Sequence, residues 1–205
     1  IQTKMVSNGG NGTVTYTKLT DTASNLDTNK ADIVNGVAVT IDETGQNTPA
    51  TVAELNSIQT RVAAVNNASL TYTKLRDSSA NIRANVDNNG AITDVDGIAV
   101  TVTTTSNATE FGSILTAAGN GSVTGAVADA GSALTDVTFP NASSITATIS
   151  AATDLTTVTL DGDVTHIDLN DVTDVLLDIN DLTGRTIVNT SGNGSYKVKD
   201  TAANL

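Results

Sequence analysis

The stretch Tyr16-Thr17-Lys18-Leu19-Thr20-Asp21-Thr22-Ala23-Ser24-Asn25-Leu26 returns as Tyr72-Thr73-Lys74-Leu75-Arg76-Asp77-Ser78-Ser79-Ala80-Asn81-Ile82. A shorter copy runs from Tyr196 through Asp200 to Leu205, and a degenerate one without the Tyr runs from Gly121 through Asp129 to Leu134. Each is entered through a Gly/Asn turn, at Gly10-Asn11-Gly12, Asn66-Asn67, Gly119-Asn120-Gly121 and Gly192-Asn193-Gly194. Such self-similarity marks a chain built of stacked units, each too small to bury its apolar face alone.

Between the first two copies lies Gly36-Val37-Ala38-Val39-Thr40-Ile41, matched later by Gly97-Ile98-Ala99-Val100-Thr101-Val102. Their β-branched content predicts two short strands. After the first, Val52, Leu55, Ile58, Val62 and Val65 recur at three- and four-residue steps, which predicts an amphipathic helix with Thr48 as N-cap and Pro49 at its first position. Thr109 to Ala118 predicts a shorter equivalent. The Asp of each Tyr motif is expected to cap a helical turn. One unit of roughly fifty-odd residues is therefore strand, short helix, strand, longer helix, and strands separated by helices imply parallel, right-handed winding. Residues 1–120 should hold two such α/β units.

From Ala133 onward the pattern changes. Asp154-Leu155-Thr156-Thr157-Val158-Thr159-Leu160, Asp163-Val164-Thr165-His166-Ile167-Asp168-Leu169 and Asp171-Val172-Thr173-Asp174-Val175-Leu176-Leu177 share one form, and a fourth copy begins at Asp181-Leu182-Thr183. Alternation and β-branching predict strands too close together for intervening helices. They form either an antiparallel meander or successive faces of a β-solenoid, with Asp154 and Asp181 one coil apart in the second case. The expected fold is a mixed α/β repeat, solenoid-like with parallel strands and short helices, followed by a β-rich, β-solenoid-like segment over 121–190. Residues 191–205 would start a further unit.

Composition narrows the function. Of 205 residues only 2% are aromatic, namely Tyr16, Tyr72, Tyr196, Phe111 and Phe139, and there is no Trp or Cys. The core must be aliphatic, in many thin layers. An apolar share of 39% is too high for a disordered chain. The formal net charge of −12 repels nucleic acid and anionic membranes, and no apolar run reaches the roughly 20 residues of a membrane span. Without Cys there is neither a disulfide nor a thiolate metal site. The sequence begins at Ile1 without a Met, as expected of a processed product or a fragment of a longer protein.

Asp161, Asp163, Asp168, Asp171, Asp174, Asp178 and Asp181 crowd one segment, and Asp87, Asp94 and Asp96 share a Gly/Asn-rich loop. Stacking would crowd turn carboxylates, and a bridging Ca²⁺ would relieve the repulsion, since it favours oxygen ligands. Asp94, Asp96, Asp161, Asp163, Asp171 and Asp181 are the candidate metal ligands. The competing explanation is that these residues cap turns and keep the face soluble. Asp168 with Asp174 or Asp178 is the first guess for an acid/base pair acting on a glycan, but the aromatic platforms of such sites are nearly missing. His166, the one histidine, has no Cys or second His to complete a zinc site or triad, and its alternation places it on an exposed strand face. Gly119 to Gly125 follows a helix and precedes a strand, the reverse of a dinucleotide-binding loop. Thr-x-Thr pairs such as Thr101/Thr103 are spaced too irregularly for an ice-binding array, and sequons at Asn11, Asn67, Asn107, Asn120, Asn141, Asn189 and Asn193 fit the richness in Asn, Ser and Thr.

The Tyr-to-Asp-Thr-Ala-Ala-Asn-Leu signature, with its interleaved Gly-Val-Ala-Val-Thr strand, resembles repeats of large bacterial surface proteins, the haemolysin-type giant adhesins and S-layer-like proteins. The resemblance implies secretion, calcium-assisted folding, and a role in adhesion or surface coating. The Gly- and Asp-rich nonapeptides that hold calcium in haemolysin-type repeats are absent, so their ligand positions do not transfer. The expected function is a structural or adhesive repeat module of an extracellular surface protein, assembling end to end or side by side into a filament or surface layer. Its expected partners are copies of itself or neighbouring repeats, together with surface glycans, and no catalytic residue is assigned. The rival is a glycan-binding or glycan-cleaving β-solenoid.

Overall fold

The computed structural model of the chain describes residues 15–44, 48–87, 95–134, 138–149, 155–157 and 160–200. Two compact units divide it: Ile1–Thr101 with Ala117–Ser122, and Val102–Thr116 with Val123–Leu205. Among the described residues the architecture is mixed α/β, with several small parallel sheets and short helices.

In the first unit β1 (Lys18–Asp21) leads into α1 (Ala23–Thr28) and a 3-10 turn at Lys30–Asp32, then β2 (Ala38–Ile41), α2 (Val52–Ala63), β3 (Ser69–Thr71), β4 (Lys74–Asp77), α3 (Ser79–Asp87) and β5 (Ala99–Val102). Strands β1, β2 and β3 pair in parallel, and the register sets like on like: Leu19, Val39 and Leu70 form one ladder, Thr20, Thr40 and Thr71 the next. The matched strand pair of the sequence is thus observed as β2 and β5, each entered through a glycine with left-handed backbone, Gly36 at φ +76° and Gly97 at φ +75°. Only glycine takes that conformation without strain, which explains its place at the head of both motifs.

Helix α2 buries Val52, Leu55, Ile58 and Val62 as its periodicity predicts, but it starts later than expected. Its N-cap is Thr51, not Thr48. The Thr51 hydroxyl accepts the Glu54 amide at 3.3 Å while Glu54 Oε2 accepts the Thr51 amide at 2.9 Å. This reciprocal pair satisfies two amides that a Thr48 cap could not reach. Ala50 meanwhile bridges Leu75 in parallel, which holds Pro49 outside the helix. A second correction concerns the Asp of the Tyr motif. Thr22 caps α1 and the Ser78 hydroxyl takes the Asn81 amide ahead of α3, so the cap is the residue after the Asp.

The second unit contains the start of α4 (Ala108–Ala118), then β6 (Val123–Thr124), β7 (Ala126–Ala130), a 3-10 turn at Gly131–Ala133, β8 (Ser144–Thr148), a 3-10 turn at Leu155–Thr157, β9 (His166–Asp168), β10 (Val175–Leu177), α5 (Ile179–Leu182), β11 (Thr186–Val188) and β12 (Tyr196–Val198). One sheet runs in the order β11-β9-β8-β7 and another joins β10 to β12. All of these pairs are parallel, so the antiparallel meander is overturned. Two of the four Asp-headed segments also differ from expectation. Leu155–Thr157 is a helical turn, and Asp181-Leu182 lies in α5, where the Asp178–Asp181 capping pair stabilises a helix. Asp154 lies outside the described residues.

The buried layers are mainly aliphatic, from Leu26, Ile33, Leu55 and Ile82 in the first unit to Ile145, Ile167, Val175 and Leu177 in the second. Phe111 and Phe139 meet edge to face with ring centres 5.3 Å apart. Among the described residues no helix is long and apolar enough to cross a membrane.

Candidate functional site

The recurring Asp of the Tyr motif performs one task three times. Asp77 Oδ2 accepts the amide of Val52, the first residue of α2, at 3.0 Å; Asp129 Oδ2 accepts that of Ala108, which opens α4, at 3.0 Å; Asp200 Oδ2 accepts that of Ile179, which opens α5, at 3.0 Å. A helix's first amides have no partner within the helix, and a carboxylate there satisfies one and meets the positive end of the helix dipole. The other oxygen serves the Asp's own strand end: Asp77 Oδ1 takes the Ser78 amide at 2.7 Å and the Asn81 side-chain amide at 2.8 Å, and Asp129 Oδ1 takes the Ala130 amide at 2.8 Å. Beside each joint a strand bond runs parallel, from Arg76 N–H to Ala50 O at 2.9 Å, Ala128 N–H to Ser106 O at 2.9 Å and Lys199 N–H to Leu177 O at 2.9 Å. Sequence reading found the recurrence of this Asp but assigned it to its own helix, because the amide it caps lies 21 or 25 residues earlier.

The candidate metal ligands occupy turns. Asp94 and the side chain of Asp87 lie outside the described residues. Asp96 Oδ1 accepts the Asn120 amide at 2.9 Å, and Asp161 Oδ1 accepts the Asp163 amide at 2.9 Å. Asp163 Oδ2 faces the Phe139 amide at 3.3 Å, and Asp171 Oδ1 accepts the Asn193 amide at 2.7 Å. Asp181 is buried and exchanges amide bonds with Asp178 across α5, at 2.7 and 3.2 Å. Its carboxyl is held above the ordinary range, by burial first and then by the Asp178 charge, although the Asp178 amide and Arg185 oppose this. The structure brings Asp161 to Asp163 and Asp178 to Asp181. Among the described residues no group of three or more acidic or histidine side chains is arranged to hold a metal ion.

Asp168 binds the following turn. Its Oδ1 accepts the Asn170 and Thr190 amides, both at 3.0 Å, and its Oδ2 accepts the Thr190 hydroxyl. Burial is the strongest single influence on its pKa and acts upward, but the Thr190 hydroxyl and the two amides together hold the carboxyl below its ordinary value. Asp174 pairs with Lys197 at 2.8 Å, and Asp178 is engaged with Asp181. His166 is half-buried, with Nδ1 2.8 Å from the Thr165 hydroxyl.

Two residues escaped the sequence reading. Glu43, buried in the loop after β2, accepts the Thr73 and Lys74 amides at 2.9 Å each and so holds the entry to β4. Arg185 donates to the carbonyls of Leu160, Asp161, Val164 and Asn180 at 2.8–3.2 Å, tying together the loops of the acidic segment. Neither belongs to a repeated motif, so no recurrence marked them. A cleft of about 590 Å³ between α2 and the Lys30–Asp32 turn is lined by Lys30, Ala31, Ser57, Thr60, Arg61 and Ala64. The Asp27 carboxylate lies beside it, 3.0 Å from Lys30 Nζ. In comparisons with known proteins the chain matches no family model, no curated protein and no solved structure.

Proposed function

We propose that this chain is a structural or adhesive repeat module of an extracellular bacterial surface protein, in which strands and short helices stack as a solenoid and the stack continues through neighbouring repeats into a filament or surface layer. The observation that carries this is the joint made in the same way by Asp77, Asp129 and Asp200, each fastening a strand to the helix start of the segment before it. A design of this kind extends by repetition, since each layer needs only its neighbours. In-register parallel ladders and thin aliphatic layers suit such a stack, and the net charge of −12 keeps its exterior soluble. This reading assigns no catalytic residue.

Antibodies raised against the chain test the location. They should label intact, unpermeabilised source cells, and labelling that requires permeabilisation would remove the surface assignment. Solution scattering tests the stack, which predicts an elongated particle of constant cross-section. A sphere-like curve would sink it.

A further inference from the structure

Ten basic residues stand against twenty-two acidic ones in this chain, yet two of the ten, Lys30 and Arg61, line one cleft of about 590 Å³. That volume falls within the roughly 300–1,000 Å³ of small-ligand sites. The cleft lies inside the first unit, between the Lys30–Asp32 turn and the C-terminal half of α2, and both of its walls belong to described elements.

Arg61 Nε donates to the Ile33 carbonyl at 3.0 Å, which fixes the plane of the guanidinium, while among the described residues nothing is bonded to Nη1 or Nη2. A guanidinium held in this way presents a paired fork that matches the two oxygens of a carboxylate, and it has little freedom left to lose on binding. Lys30 is fixed as well. Its Nζ donates to Asp27 Oδ1 at 3.0 Å and to Ser57 Oγ at 2.6 Å, which leaves one of the three ammonium protons over. Ser57 and Lys30 hold the Asp27 carboxyl below its ordinary range, so it is ionised near neutrality. The remaining lining is Ala31, Ala64 and Thr60, whose hydroxyl is turned back to the Asn56 carbonyl at 2.7 Å. The walls are therefore methyl groups and the methylene stems of Lys30 and Arg61, with the polar heads of the two cations and Ser57 set among them.

We propose that this cleft binds a small monocarboxylate with an aliphatic body. The carboxylate takes the two Nη groups of Arg61 and the remaining Lys30 proton, and the aliphatic part covers Ala31 and Ala64. A single anionic charge matches the site, because two cations line the cleft and Asp27 already offsets one of them. A phosphate, with more than one charge at neutral pH, would face Asp27 and the field of a chain at −12. A sugar ring is a poorer body, since among the described residues no aromatic side chain lines the cleft to stack on it. The negative end of the α2 dipole opposes any anion here, but by less than a paired guanidinium gains. This adds a binding activity to the stacking role and does not depend on it.

Titration of the ¹⁵N-labelled chain with hexanoate tests the proposal. The amide resonances of Ala31, Ser57, Arg61 and Ala64 should move together and saturate with a Kd of about 1 mM, the scale for a ligand of this size. Hexan-1-ol lacks the charge, glucuronate lacks the apolar body, and inorganic phosphate lacks the body and carries too much charge; each should bind about tenfold more weakly or worse. Arg61→Gln removes the fork and should weaken hexanoate about tenfold or more. Because it also removes the bond to Ile33, Ala64→Leu serves as the second variant. It fills the cleft, leaves both cations in place and should abolish the shifts, with Tm within about 2 °C of the parent chain. An absence of saturable shifts, shifts scattered over the surface, phosphate or glucuronate binding as tightly as hexanoate, or full affinity in Ala64→Leu would each overturn the proposal.

Discussion

At Asp168 a buried carboxylate gains more from its donors than it loses by leaving water: two amides and the Thr190 hydroxyl hold it ionised, and its pKa falls below the ordinary 3.8. A depressed acid contributes stability above its unfolded value, and loses it as pH falls through the folded one. Asp168→Asn should therefore destabilise by about 1.5–3 kcal/mol near neutrality, the usual worth of hydrogen bonds to a charged group. The gap to the parent chain should narrow as the pH drops below 3.8. Urea unfolding at several pH values measures this, and a gap constant with pH would mean that the ionised form has no special role. Asp181 runs the other way: its raised pKa gives a contribution present below 3.8 that fades as pH rises through the folded value.

Helix α2 shows what an element needs beyond periodicity. The apolar positions Val52, Leu55, Ile58 and Val62 were readable, and the Thr51-x-x-Glu54 spacing that sets the start is also a local signal. Thr51→Ala should cost about 1 kcal/mol, read as a shift in the urea midpoint with unchanged slope. A far larger loss is expected in the second unit from Phe111→Ala. Phe111 is wholly buried and meets Phe139, and truncating a buried Phe costs about 3–5 kcal/mol. A loss under 1 kcal/mol would show that the site collapses around the smaller side chain. The 3-10 turn at Leu155–Thr157 was not readable, because its alternation of aliphatic and Thr residues is that of a half-buried strand.

For the whole molecule, charge is the dominant long-range term. Ion pairs such as Lys30 with Asp27 at 3.0 Å and Lys197 with Asp174 at 2.8 Å lie largely in solvent and contribute about 0–1 kcal/mol each. Pairs as exposed as these do little against the self-repulsion of a chain at −12. Sodium chloride should therefore raise Tm, since screening weakens the repulsion; a fall would mean that attractive pairs dominate instead. Calcium at matched ionic strength should add nothing beyond sodium if the acidic turns act as caps. An additional rise in Tm would identify bound cation at Asp96, Asp161, Asp163, Asp171 or Asp181.

The residues alone determined that strands and helices alternate, that the core is aliphatic, and that one Asp recurs at matched positions, because periodicity, composition and repetition are local or statistical properties of a chain. Only the tertiary structure decided where that Asp acts. A carboxylate has two oxygens, one within reach of its own turn and the other free to meet an amide 21 or 25 residues away, and that second partner exists only after the strands have paired. The same holds for Glu43 and Arg185, whose partners are backbone groups that any residue could supply, so no side-chain pattern announces them.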